Sequence, residues 1–197
     1  MLAYKFRGAE NPQFTLDILK YNRLYCADWQ TLNDPMEGTY DTLIVNPEKR
    51  LSSLATIREQ KFKFRVCSLS DTYKSHAMWA YYASGFQGVA IEIEFIDESQ
   101  LIRIDYASGS RIQQWAEKSD PYKIAREILS KKHSDWQQER ELRLIQETSF
   151  FDLAPDTIKR VILGSRISEY FETQIRATAG AIPVQKLKMR SGDLKAQ

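Results

Sequence analysis

Cysteine, histidine, glycine and proline are all scarce in this chain of 197 residues, which has 2 Cys, 2 His, 8 Gly and 6 Pro. Two cysteines, Cys26 and Cys67, cannot build a disulfide framework or a four-cysteine zinc site, so a reducing cytoplasm is the expected setting. With His76 and His133 alone, a three-histidine zinc site is excluded. Hydrophobic residues make up 43% of the chain, and with so little glycine and proline this excludes collagen-like, low-complexity and wholly disordered classes. No stretch approaches the ~18 uninterrupted apolar residues of a membrane-spanning helix. Met1–Arg7 lacks the apolar core of a signal peptide. No membrane partner is expected.

Charge is nearly balanced, with 28 Lys+Arg against 26 Asp+Glu and a net charge of +2. That balance gives no reason for an obligatory nucleic-acid partner. Two local basic clusters, Arg58–Arg65 and Lys186–Arg190, interleave with apolar residues, as a solvated strand face does when lysine stems cover a core. The few glycines form no phosphate cradle, because Gly85 and Gly88 precede a strand instead of a helix. A Ser–His–Asp triad lacks its nucleophile elbow.

The length fits a single domain, expected over residues 1–190 with 191–197 as a disordered tail. Leu2–Arg7 reads as the first strand. Thr15 caps a helix over Leu16–Tyr21, and Leu24–Ala27 reads as a second strand. Thr31–Gly38 is a turn rich in breakers, and Asn46-Pro47 opens a helix. Alternation of Phe62, Phe64 and Val66 predicts a strand running into Ser68–Ser70. Ser75 caps the aromatic helix His76–Ser84. Gly88–Phe95 alternates, with Val89, Ile91, Ile93 and Phe95 inward and Glu92 and Glu94 outward. Leu101–Tyr106, Leu142–Ile145, Arg160–Leu163 and Ile182–Met189 read as strands. Asp120-Pro121 opens what reads as the longest helix, carrying Lys132 on one face, and Ser168 caps another that ends at Gly180. Strands broken irregularly by helices predict an α+β fold with a mainly antiparallel two-sheet core and flanking helices.

Three segments can carry chemistry. Tyr4-Lys5-Phe6-Arg7 alternates aromatic and cationic groups on the first strand. Ser68-Leu69-Ser70 puts two hydroxyls on one face at a strand end, ahead of Trp79, Tyr81 and Tyr82. Glu139-Arg140-Glu141 precedes a strand, so its carboxylates point the same way and Arg143 continues that face.

In this order the segments resemble the ADP-ribosyltransferase fold, in particular its diphtheria-toxin and poly-ADP-ribose polymerase branch. Cys67–Ser70, the helix Ser75–Ala83, Gly88-Val89-Ala90-Ile91 and Glu141-Leu142-Arg143-Leu144-Ile145 follow that branch's spacing. Ser68-x-Ser70 and Glu139-x-Glu141 are similar to its Ser-x-Ser strand and Glu-x-Glu loop. A second resemblance covers nearly the whole chain and is to the bacterial family called domain of unknown function 2971. It is carried by Tyr4-Lys5-Phe6, Leu32-Asn33-Asp34-Pro35-Met36-Glu37, Cys67–Ser70, Met78–Ala83, Gly88–Glu92, the Lys132…Trp136…Glu139-x-Glu141-x-Arg143 block and Val161–Gly164. Tyr81 stands where that family has a His.

The first resemblance implies an NAD-dependent ADP-ribosyltransferase or NAD glycohydrolase, with NAD as substrate and a protein or nucleic-acid acceptor, in a toxin or phage-defence setting. It implies Glu141 as the catalytic carboxylate and Glu139 as the acceptor-side residue. Ser68 and Ser70 would hold the nicotinamide side or position Glu141. Lys5 or Arg7 would contact ribose or diphosphate, Tyr73, Trp79 or Tyr82 would stack on nicotinamide, and Tyr4 and Arg143 complete the expected NAD-binding residues. Two other classes stay open. One is a metal-dependent nuclease using Asp34, Glu37, Glu92, Glu94, Glu139 and Glu141, although no metal site is expected. The other is a non-enzymatic module that binds nucleic acid or protein through the basic patches.

Overall fold

A computed structural model describes residues 1–34, 38–39, 41–42, 47–107, 112–113, 120–190 and 193–197. The chain opens with β1 (Leu2–Arg7), α1 (Pro12–Tyr21), β2 (Arg23–Tyr25), β3 (Ala27–Asp28), β4 (Asp41–Thr42), α2 (Pro47–Lys63) and β5 (Arg65–Ser70). Next come α3 (His76–Tyr82), β6 (Val89–Glu94), β7 (Ile102–Arg103), β8 (Asp105–Ala107), β9 (Ile112–Gln113), α4 (Pro121–Ile128) and β10 (Lys131–His133). A 3-10 turn over Ser134–Glu139 leads into β11 (Glu141–Gln146), and β12 (Phe150–Asp152), β13 (Ile158–Leu163), α5 (Glu169–Ala179), β14 (Val184–Arg190) and β15 (Asp193–Ala196) complete the order.

The α+β expectation holds, with mostly antiparallel pairing. The two-sheet expectation does not. One nine-stranded sheet runs β15-β14-β13-β6-β1-β5-β11-β7, with β3 added beside β5. Its one parallel pair, β13 with β14, is joined through α5. Helices cover both faces. Ala3, Cys67, Leu69, Ile91, Leu142 and Val161 pack with Ile18 and Leu19 of α1 and Phe171 and Ile175 of α5. On the opposite face Tyr4, Phe6, Ala90 and Ile162 pack with Met78 and Trp79 of α3, while Val66 and Ile145 meet Ile57 of α2 and Ile124 and Ile128 of α4.

Several local expectations give way to this packing. Phe62 lies on α2, which continues to Lys63, so the strand begins only at Arg65. Helix α1 starts at Pro12, after Asn11, and Thr15 is buried inside it instead of capping it. Helix α4 is eight residues long and stops at Ile128, whereas α2 has 17, and Lys132 sits on β10. Glu92 is buried beneath the second helical layer and ion-paired to Arg160 at 2.7 Å. Asp193–Ala196, expected in a disordered tail, pair with β14 as a strand. Asn46, and Pro35–Glu37 within the predicted turn Thr31–Gly38, lie outside the described residues.

Other starts match the sequence. The Ser75 hydroxyl accepts from Met78 N at 3.3 Å and the Ser168 hydroxyl from Phe171 N at 3.3 Å, each satisfying an otherwise orphaned helical donor.

One feature of β5 shapes the site. Along one edge it pairs with β11 from Glu141↔Ser70 to Gln146↔Arg65. Its other edge is divided: β1 pairs only at Tyr4↔Ser70, and β3 pairs at Ala27↔Val66 and Asp28↔Arg65. Between them Cys67, Ser68 and Leu69 have no ladder partner on that edge. The sheet opens there.

Candidate functional site

A cleft of about 80 Å³ lies at this opening, lined by residues that include Tyr4, Asn33, Ser68, Tyr82, Lys132, Glu139 and Glu141. They come from β1, β5, β10, β11, the C-terminal end of α3 and two loops, so the fold brings together segments scattered along the chain. Strand alternation explains the choice. Tyr4 opposes Ser70, Ser70 opposes Glu141 and Ser68 opposes Arg143, so all five side chains lie on the face covered by α3 and α4.

Glu141 is 2% exposed and Glu139 5% exposed, which makes bare carboxylates costly unless paired. Both are paired. Arg143 grips Glu141 with two prongs, Nε to Oε1 at 2.7 Å and Nη2 to Oε2 at 2.9 Å. Lys132 Nζ bridges the carboxylates, 2.6 Å from Glu139 Oε2 and 3.4 Å from Glu141 Oε2. Burial pushes the Glu141 carboxyl up. Arg143, Lys132 and the Ser68 hydroxyl outweigh it and hold the group below its ordinary value, so it is ionised in the fold.

The Glu141 amide donates to the Tyr106 hydroxyl at 2.7 Å, and the Ser70 hydroxyl donates to the Glu139 carbonyl at 2.8 Å. These contacts fix both ends of the Glu-x-Glu segment, whose central Arg140 adopts φ 48 and forms ion pairs with Asp71. Tyr82 donates its hydroxyl to Glu139 Oε1 and accepts from Asn33 Nδ2. Burial and the neighbouring carboxylate push the Tyr82 phenol up, so it stays a donor. Burial likewise raises the Tyr4 phenol to about 12, helped by Glu92.

The two carboxylates differ in spare capacity. Glu141 accepts two Arg143 bonds, one from Lys132 and one from Ser68, which fills the roughly four lone-pair positions of a carboxylate. Among the described residues, Glu139 accepts only from Tyr82 and Lys132. An incoming hydroxyl reaches Glu141 by displacing Ser68 or the long Lys132 contact, while Glu139 can accept one directly.

Lys5 also lines the cleft, and its ammonium donates to the Ser68 carbonyl at 2.8 Å. Other expected site residues stand elsewhere. Arg7 alternates onto the opposite face of β1 and lines a separate cavity beside α1. Trp79 is fully buried between Phe6, with ring centroids 5.3 Å apart, and Phe86, and it cannot stack on a ligand. Arg143 is fully buried and turns inward, with its third nitrogen on the Leu129 carbonyl at 2.7 Å. Tyr73 packs on Tyr4 with ring centroids 5.5 Å apart, next to Arg160. Sequence reasoning missed Lys132 and Asn33 as members of the cleft, and Tyr106 as the acceptor of the Glu141 amide.

Among the described residues no group of three or more His, Cys, Asp or Glu side chains is placed to hold a metal ion. Glu94 is taken up by Lys159 at 2.7 Å and Glu92 by Arg160, and Glu37 lies outside the described residues. No described helix is long and apolar enough to cross a membrane. No protein-family model, curated protein or solved structure matches the chain. What the chain does must be read from the cleft itself.

Proposed function

We propose that the cleft cleaves the bond between nicotinamide and ribose in NAD, as an ADP-ribosyltransferase or NAD glycohydrolase acting toward a protein, nucleic-acid or water acceptor. One observation carries the reading: a buried carboxylate, Glu141, is kept ionised at the mouth of a sheet opening beside the Ser68 hydroxyl and a second carboxylate. A fixed anion in a water-poor site stabilises a cation that develops on a substrate, and an oxocarbenium-like ribose is such a cation. The resemblance of the motif order to that of ADP-ribosyltransferases supports the same reading.

In this scheme the C1′–N bond breaks and its electron pair leaves with neutral nicotinamide. Glu141 faces the positive ribose and accepts from its 2′-hydroxyl in place of Ser68. An acceptor hydroxyl, or water, forms the new bond at C1′ and gives its proton to Glu139, the carboxylate with spare capacity. Tyr82 and Lys132 hold Glu139 in position. The volume of about 80 Å³ is small beside the ~300–1,000 Å³ of sites that enclose a whole ligand, so one ring enters and the remainder of NAD lies along the surface.

Calorimetric titration with NAD tests the binding step. Saturable binding that weakens in Ser68→Tyr, which fills the opening, supports the proposal. Absence of any heat or saturation with NAD, alongside intact folding, contradicts it.

A further inference from the structure

A second, larger cavity of about 890 Å³ lies beside α1, on the other face of the sheet, and Arg7, Phe14, Asp17, Lys20, Tyr21, Tyr25 and Phe150 are among its lining residues. Arg7 is the unusual group there. Its side chain is mostly buried, its Nε has no hydrogen-bond partner, and it makes no salt bridge among the described residues. Its guanidinium rests 5.5 Å from the centre of the Phe14 ring. The nearest carboxylate, Asp17, is already held by Arg23, Nη2 to Oδ1 at 2.8 Å and Nε to Oδ2 at 2.9 Å. A cation withdrawn from water without a counter-charge is costly, and an anion that enters the cavity beside Arg7 would supply one.

The rim supplies the other half of the recognition. Phe14, Tyr21, Tyr25 and Phe150 are all exposed large aromatics, an unusual concentration on one surface. Tyr25 and Phe150 meet edge to face at 5.6 Å, and Arg23 sits 4.0 Å from the Phe150 centroid and 4.7 Å from that of Tyr21. Flat aromatic walls with cations at their edges favour a planar ring, and Arg7 favours a phosphate or carboxylate. The volume falls within the ~300–1,000 Å³ range of small-molecule sites.

We infer that this cavity binds an organic anion built on an aromatic ring, with the anionic group on Arg7 and the ring among Phe14, Tyr21, Tyr25 and Phe150. A nucleoside monophosphate and an aryl carboxylate share that chemistry. The site stands independently of the NAD cleft, which opens on the opposite face of β1.

Calorimetry on the full chain, with AMP and indole-3-acetate as separate probes, tests it and tells the two sources apart. At least one anion should bind saturably with one-to-one stoichiometry, and if AMP is bound, adenosine should bind at least about tenfold more weakly, the scale of one charge-assisted hydrogen bond. Arg7→Gln should weaken the bound anion by about tenfold or more. Phe14 is more than half exposed, so Phe14→Ala should fold normally and weaken binding several-fold. Glu139→Gln should leave the affinity unchanged. Failure of both probes to bind overturns the inference. So does binding that Arg7→Gln and Phe14→Ala leave intact, which would place the anion elsewhere.

Discussion

The Lys5 ammonium donates to the Ser68 carbonyl at 2.8 Å, at the point where β1 and β5 stop pairing. A side chain thus serves a backbone group on the unladdered edge of β5 and holds the opening beside the cleft. Burial lowers the Lys5 pKa, a cost the fold accepts for this contact. Lys5→Met removes the donor and should destabilise the protein by about 1–3 kcal/mol, the range for depriving a buried acceptor of its partner. Urea denaturation reads this directly. Stability equal to wild type would show that the hydrogen bond returns no more than the burial of the charge takes.

Glu141→Gln should cost about 3–5 kcal/mol, because it leaves the fully buried Arg143 without its counter-charge. The pH dependence has a definite sign. The Glu141 carboxyl titrates below its ordinary 4.5 in the fold, so its stabilisation is fully present above that value and disappears as pH falls through the lower folded pKa. Thermal melts from pH 7 to pH 3 should show wild type losing stability more steeply in acid than the variant. Parallel curves would contradict the assigned ionisation.

Tyr82→Phe deletes the hydroxyl that joins Asn33 to Glu139. The expected loss is about 1–3 kcal/mol, as for other hydrogen bonds to a charged group. In a double-mutant cycle, Tyr82→Phe and Glu139→Gln should be non-additive, because both break one network. Additive costs would mean that the Tyr82 contact contributes little.

The pairing of Ser68 and Ser70 with the Glu141 face was legible because strand periodicity alone puts residues two apart on one side. Glu139 joined them because it precedes that strand by two positions. Lys132 was not legible. The apolar spacing Ala125, Leu129 carried the helix past its end at Ile128, and only the tertiary turn places Lys132 between the carboxylates. The same limit applied to Phe62, whose alternation with Phe64 and Val66 imitates a strand although α2 carries it. Glu92 read as solvent-facing because alternation does not show that the second face is covered as well. The first-strand motif puts both Lys5 and Arg7 at the cleft, but only Lys5 lines it, while Arg7 lines the cavity beside α1.

Cys26 and Cys67 face each other where β3 meets β5, both buried and both free. A hydrogen bond from Cys26, together with Lys5 and Arg7 and against the effect of burial, holds the Cys67 thiol below its ordinary value, while Cys26 is pushed up. With the folded value below the ordinary 9.0, the stabilisation from Cys67 is full above pH 9 and is lost as pH falls through the lower folded value. Denaturation of wild type and Cys67→Ala from mildly acidic pH up to pH 9 should therefore show wild type gaining relative stability as pH rises. A constant difference across that range would contradict a thiolate at Cys67.

Nicotinamide release from NAD, measured for wild type, Glu141→Gln and Glu139→Gln at a temperature where circular dichroism shows all three folded, tests the central claim most directly. Wild type should release nicotinamide, and Glu141→Gln should turn over roughly 10²–10³-fold more slowly, the scale for one preorganised electrostatic group. Glu139→Gln should retain release while transfer to an acceptor falls. No release by wild type, or equal release by all three proteins, would contradict the account.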